Sequence, residues 1–225
     1  MSQAKVQISI DCETLEEAMK IADASVEAGA DILEVGTPLL LGEGVHAIRA
    51  IRKKYPDKPI VADVKIMDAG YAEAKMCAEA GADYVCVMGV AHSATVAGCV
   101  QAGKETGIQV MVDIMLMEDK VAAAKEMEAL GADYICLHTG FDERHAQPEK
   151  NPLIDLKAVV NAVNIPVQAV GGMSIEQAVK ASGLAPLIVI GAPLVINENN
   201  LTGNADSNEE LKKLIQKVLK EVRNA

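Results

Sequence analysis

The segment Asp63-Val64-Lys65-Ile66-Met67-Asp68 places two carboxylates and an ammonium within six residues. Read as the end of an apolar strand, its alternation puts Asp63 and Lys65 on one face, where a lysine can neutralise an enolate oxygen or donate a proton. Glu34 closes another apolar run, Ile32-Leu33-Glu34-Val35. Two carboxylates on neighbouring strand ends suit a hard divalent ion that keeps several waters and accepts substrate oxygens, which is the habit of magnesium. His138, in His138-Thr139-Gly140, is placed for general acid–base work. Gly171-Gly172 and Gly191 follow the last two apolar runs, where backbone N–H groups can cradle a phosphate. Asp11 and Asp113 complete the set of acids at strand ends.

The elements that must position these residues are read from a repeat. Gly29-Ala30-Asp31-Ile32-Leu33-Glu34-Val35 recurs as Gly81-Ala82-Asp83-Tyr84-Val85-Cys86-Val87 and as Gly131-Ala132-Asp133-Tyr134-Ile135-Cys136-Leu137, with a degenerate fourth copy at Gly183-Leu184-Ala185-Pro186-Leu187-Ile188-Val189-Ile190. Each glycine follows a helical stretch and is expected to end it in a left-handed conformation before a buried strand. Between the copies lie Ile60–Lys65, Gln109–Ile114 and Pro166–Val170, and Val6–Ile10 opens the series. Eight apolar strands alternating with helices require parallel pairing, and about 28 residues per unit suits an α/β fold of the closed (β/α)8 TIM-barrel type. The alternative is an open doubly wound sheet. With no linker or low-complexity stretch, 1–225 reads as a single domain. Glu143–Pro152 and Asn197–Asn208 read as enlarged loops after strands six and eight. Gly42-x-Gly44-x-x-Ala47 resembles a dinucleotide fingerprint, but Thr37-Pro38 separate it from the strand, which speaks against that role.

Composition narrows the partners. The formal net charge of −11 disfavours nucleic acid and anionic membranes. Aromatic residues at 2%, with no Trp, leave no stacking platform for bases or sugars. Five cysteines, none in a Cys-x-x-Cys pair, signal neither a disulfide framework nor a zinc cage, and Cys86 and Cys136 read as core. His46 and His145 read as surface residues, whereas His92 has no assigned role. The opening residues run directly into a strand and no apolar run approaches the ~20 residues of a membrane span, so a cytoplasmic protein is expected.

Taken together, Ile10-Asp11, Leu33-Glu34-Val35-Gly36-Thr37-Pro38-Leu39, Ala62-Asp63-Val64-Lys65-Ile66-Met67-Asp68-Ala69-Gly70, Val112-Asp113, His138-Thr139-Gly140 and Val170-Gly171-Gly172 resemble the orotidine monophosphate decarboxylase suprafamily. Within it they resemble the branch that contains 3-hexulose-6-phosphate synthase and 3-keto-L-gulonate-6-phosphate decarboxylase. The resemblance implies a magnesium-dependent barrel enzyme of the lyase class, acting on a sugar phosphate through an enediolate. Glu34 and Asp63 would hold the metal, Lys65 would stabilise the intermediate, and His138 would move a proton. Asp11 and Asp113 would orient substrate hydroxyls. Asp68 would enter the partner subunit's site, giving a homodimer with shared active sites. The decarboxylase branch carries an arginine three positions after its histidine and a glutamate on strand five. This chain has Phe141 and Asp113 there, which favours aldol addition of formaldehyde to D-ribulose 5-phosphate over decarboxylation. A catalytically silent phosphosugar-binding protein is the non-enzyme alternative, opposed by the intact Glu34, Asp63, Lys65, Asp68 and His138 set. Strand eight ends Gly191-Ala192-Pro193, where family members tend to show a second glycine or an arginine beside the phosphate.

Overall fold

A computed structural model describes residues 3–192, 196–197, 200–201 and 208–224. The first half runs β1 (Lys5–Ile10), α1 (Leu15–Ala28), β2 (Ile32–Val35), α2 (Thr37–Glu43), α3 (His46–Lys54), β3 (Ile60–Ile66), α4 (Gly70–Ala80), β4 (Tyr84–Met88) and α5 (Ser93–Thr106). It continues with β5 (Gln109–Asp113), α6 (Lys120–Leu130), β6 (Tyr134–His138), α7 (Phe141–Ala146), α8 (Leu153–Ala162), β7 (Val167–Val170), α9 (Ile175–Ser182) and β8 (Leu187–Ala192). A two-stranded ribbon, β9 (Ile196–Asn197) and β10 (Asn200–Leu201), precedes α10 (Asn208–Arg223). Strands β1 to β8 pair in parallel in chain order, and β8 closes on β1. This is the expected (β/α)8 barrel, not an open sheet.

The repeat works as a joint. Gly29, Gly81 and Gly131 end α1, α4 and α6 with φ of 96°, 103° and 99°, a region that disfavours residues with a Cβ. Two residues on, Asp31, Asp83 and Asp133 accept an N–H at the start of a strand, from Val6, Ile60 and Val110 at 2.8, 2.7 and 2.7 Å. Each repeat therefore ends its own helix and pins the start of the preceding strand. The fourth copy departs from this pattern. Gly183 ends α9 with φ −72°, not in the left-handed region, and Ala185 has no carboxylate to offer.

Alternation along the strands separates two cores. One set packs outward beneath the helices, including Val6, Ile8, Leu33, Ile60, Ala62, Val85 and Val112. The other fills the barrel with Ile32, Val61, Cys86, Met111, Cys136 and Leu187, and packs against Tyr84 and Tyr134, whose rings meet edge to face at 5.6 Å. Cys86 and Cys136 are thus core, as expected. α10 buries Leu211, Ile215, Val218, Leu219 and Val222 and packs against α1 and α9, completing the helical ring.

Two loop expectations need correction. The segment after β6 opens with helix α7, whose Gly140 N-cap and six residues leave only 147–152 as a connection. Within Asn197–Asn208 the chain forms the second strand of a β-ribbon, while 198–199 and 202–207, with Pro193, lie outside the described residues. Among the described residues no helix is long and apolar enough to cross a membrane.

Candidate active site

A cavity of about 920 Å³ opens at the C-terminal ends of the strands. Asp11, Glu34, Asp63, Lys65, Asp113, His138, Gly171, Gly172 and Gly191 all line it. Asp68 does not. It lies exposed between β3 and α4, where its carboxylate accepts the Ala69 N–H at 2.8 Å.

Alternation alone does not bring Lys65 to Asp63. The β3–β4 register shifts between Ala62 and Ile66, and Lys65 takes a φ of +55°. A left-handed conformation costs a non-glycine residue roughly 1–2 kcal/mol. The compensation is local: the Lys65 ammonium bonds to Asp63 Oδ2 and donates to Thr37 Oγ1 at 3.1 Å. The Thr37 hydroxyl in turn donates to Asp63 Oδ2 at 2.8 Å. Burial works against the charge on Lys65, yet the Asp63 carboxylate holds its pKa above the usual lysine range.

Beside this cluster, burial and the neighbouring Asp63 and Asp11 carboxylates push Glu34 up to about 8. Its protein partner is Gln7, whose Nε2 donates to Glu34 Oε2 at 2.8 Å. Gln168 Nε2 donates in turn to Gln7 Oε1 at 2.9 Å, so a buried amide chain runs from β7 through β1 to β2. Asp11 is likewise raised, to about 6, by burial working against a 2.9 Å hydrogen bond from Ser9. Buried carboxylates this close together call for a cation. The ligand atoms of Glu34, Asp63 and Cys86 lie within 4.8 Å of one another. The two carboxylates fit a hard divalent ion, and open cavity remains for water and substrate oxygens. The Cys86 thiol does not suit such an ion: a hydrogen bond with Cys136 and burial raise its pKa well above the usual range and keep it neutral.

The raised carboxylates carry a sign. Well below pH 4 both are protonated whether the chain is folded or unfolded. As pH rises, the unfolded chain releases protons that the folded metal-free protein retains, so the stability these groups contribute is lost, first through about 6 for Asp11 and then through about 8 for Glu34. In chelator, Glu34→Gln should therefore flatten the fall of Tm between about pH 6 and 8. Parallel Tm profiles for wild type and variant would contradict this reading of Glu34.

Across the cavity, His138 at the end of β6 meets Asp113 at the end of β5, with Nδ1 2.7 Å from Oδ2. The Met115 N–H fixes the other Asp113 oxygen at 2.9 Å. A carboxylate on Nδ1 orients the ring and leaves Nε2 to take and return a proton.

The glycine pair after β7 adopts φ of +125° and +57°. A Cβ on Gly171 would lie 2.4 Å from the Thr139 carbonyl oxygen, so glycine is required there. Ser174 and Gln177 form the expected capping box at the start of α9. His46 and His145 are exposed as expected, and His92 has a structural task, since its Nδ1 accepts the Ala94 N–H at 3.1 Å at the start of α5. Sequence reasoning missed Gln7, Ser9, Thr37, Gln168 and Arg144, all but Gln7 lining the cavity. The available signal was a glutamine inside an apolar strand, in Val6-Gln7-Ile8 and again in Val167-Gln168-Ala169.

A closed parallel barrel with an acid–lysine cluster and a His–Asp pair at its C-terminal mouth defines a TIM-barrel enzyme. Residues 4–205 match the Orotidine 5'-phosphate decarboxylase / HUMPS family, and the chain belongs to that family. It is 35% identical over 216 residues to the 3-hexulose-6-phosphate synthase of Bacillus subtilis, covering 96% of this chain and 99% of that protein. A crystal structure of 3-hexulose-6-phosphate synthase from Salmonella typhimurium superposes with a TM-score of 0.84 at 38% identity, covering 97% of this chain and 99% of the other. A probable 3-keto-L-gulonate-6-phosphate decarboxylase of Haemophilus influenzae is 42% identical over 105 residues, 47% of this chain and 46% of that protein.

Proposed function

We propose that the chain is a 3-hexulose-6-phosphate synthase, adding formaldehyde to D-ribulose 5-phosphate with the aid of magnesium. The observation that carries this reading is the opposition, across one cavity, of the Asp113–His138 pair and the Asp63–Thr37–Lys65 cluster. His138 Nε2 removes a proton from C1 of the ketose phosphate, and the electron pair moves towards the C2 oxygen. The Lys65 ammonium, fixed by Asp63 and Thr37, neutralises the enediolate charge that develops there. C1 then attacks the formaldehyde carbon, and the resulting alkoxide takes up a proton, for which the His138 imidazolium is the available acid. Glu34 and Asp63 would hold magnesium, which supplies positive charge beside the substrate oxygens. Asp11 and Asp113 present carboxylate oxygens to substrate hydroxyls.

Phe141 favours addition over decarboxylation. Its ring lies at the cavity rim, 62% exposed and 4.2 Å from the His145 ring. It therefore acts by offering no hydrogen bond to a proton donor, not by keeping the site dry. The outward position of exposed Asp68, flanked by Met67 at 53% exposure, supports a homodimer in which Asp68 serves the neighbouring site. The test is formaldehyde consumption dependent on ribulose 5-phosphate. Excess chelator should abolish turnover and added magnesium should restore it, whereas full activity in chelator would remove the metal from the reaction.

A further inference from the structure

We propose that Arg144 is the cation that grips the substrate's phosphate, so that the short helix after β6 supplies the positive charge that strand eight lacks. The proposal deepens the sugar-phosphate reading above and rests on it.

Arg144 lies in α7, and its guanidinium stands over the second glycine of the pair after β7. A Cβ built on Gly172 would lie 1.9 Å from Nη1 and 2.2 Å from Cζ, so the arginine fills the space that any side chain there would need. The group is also unpaired. Its Nε is buried without a hydrogen-bond partner, and among the described residues the guanidinium makes no ion pair or hydrogen bond. Besides Gly172, it faces the Phe141 ring, with Cζ 5.7 Å from the ring centroid. The adjacent Glu143 carboxylate is taken by Lys150 at 2.8 Å. Among the described residues, the other lysine or arginine lining the cavity, Lys65, is committed to Asp63 and Thr37.

A partly buried guanidinium without a counter-ion is unfavourable, and here burial works against its charge. The ligand that resolves this is an oxyanion on the cavity side of the planar fork, beside the Gly171-Gly172 backbone that lines the same cavity. A phosphate monoester has oxygens for two parallel N–H bonds from the fork and a further oxygen for the glycine backbone, one more than a carboxylate offers. Of the acids that line the cavity, Asp142 and Glu143 adjoin Arg144 in α7, and neither carboxylate bonds to the guanidinium among the described residues.

Inorganic phosphate is the direct probe, titrated calorimetrically into wild type, Arg144→Ala and Arg144→Lys, with thermal melts to confirm folding. Arg144→Ala should weaken phosphate binding at least ~10-fold, and Arg144→Lys, which keeps a point charge but loses the fork, should fall between. In turnover, Arg144→Ala should raise KM for ribulose 5-phosphate by a similar factor with kcat within about threefold, because the phosphate lies far from the reacting carbons. Equal phosphate affinity in folded wild type and Arg144→Ala, including none in either, overturns the proposal. Arg144-dependent phosphate binding in a protein that consumes no formaldehyde would uphold the assignment of Arg144 and sink the synthase reading alone.

Discussion

Replacing Lys65 with alanine should lower kcat by ~10²-fold or more, the scale of losing one positioned electrostatic stabiliser. The structure gives the reason. Lys65 is held in a strained left-handed conformation by Asp63 and Thr37, with its ammonium fixed before any substrate arrives. A charge placed in advance needs no reorganisation when the enediolate forms. The fold should survive, because the side chain contributes nothing to either core, and thermal melts check this. A loss of only a fewfold would reduce Lys65 to a structural ion pair. The same variant tests the shared site: mixing Lys65→Ala chains with Asp68→Ala chains should restore activity, since in a heterodimer one site collects both defects and the other has none. No recovery despite demonstrated subunit exchange would contradict it.

His138→Asn should lower kcat by ~10²- to 10⁴-fold, the range for removing a positioned general base. Asparagine can still bond to Asp113 but cannot take the C1 proton. Ribulose 5-phosphate should therefore still bind, while exchange of its C1 hydrogen with solvent deuterium, followed by NMR without formaldehyde, should all but cease. Exchange at the wild-type rate would assign proton removal to another group.

Most of the architecture could be read from the chain because the repeat has mechanical content: a glycine to end a helix and an aspartate to hold a strand start are needed at fixed offsets, as Gly81 and Asp83 show. The fourth copy, with Gly183 and Ala185, keeps the spacing without the joint, so spacing alone does not predict its glycine conformation. Site residues at strand ends were legible for a related reason, since a barrel interior tolerates Glu34 or Asp113 only near its mouth. The β3 bulge was not legible. Nothing in Asp63-Val64-Lys65 distinguishes simple alternation from a register shift that turns Lys65 to a positive φ. Arg144 is hidden because a polar stretch with Glu, Lys and Pro reads as loop, and only the fold carries the fourth residue of α7 over Gly172. Gln7 and Gln168 are not legible as site residues because isolated polar residues in a strand ordinarily face water.

The claim that the site forms a carbon–carbon bond with formaldehyde is tested most directly by comparing kcat/KM for two reactions of the same preparation. One is ribulose 5-phosphate plus ¹³C-formaldehyde, followed by NMR of the new carbon–carbon bond, and the other is release of carbon dioxide from 3-keto-L-gulonate 6-phosphate. The account predicts a labelled hexulose phosphate and the larger kcat/KM for addition, with Phe141→Arg shifting the ratio towards decarboxylation. Faster decarboxylation by the wild-type chain, or no labelled carbon–carbon bond, would contradict it.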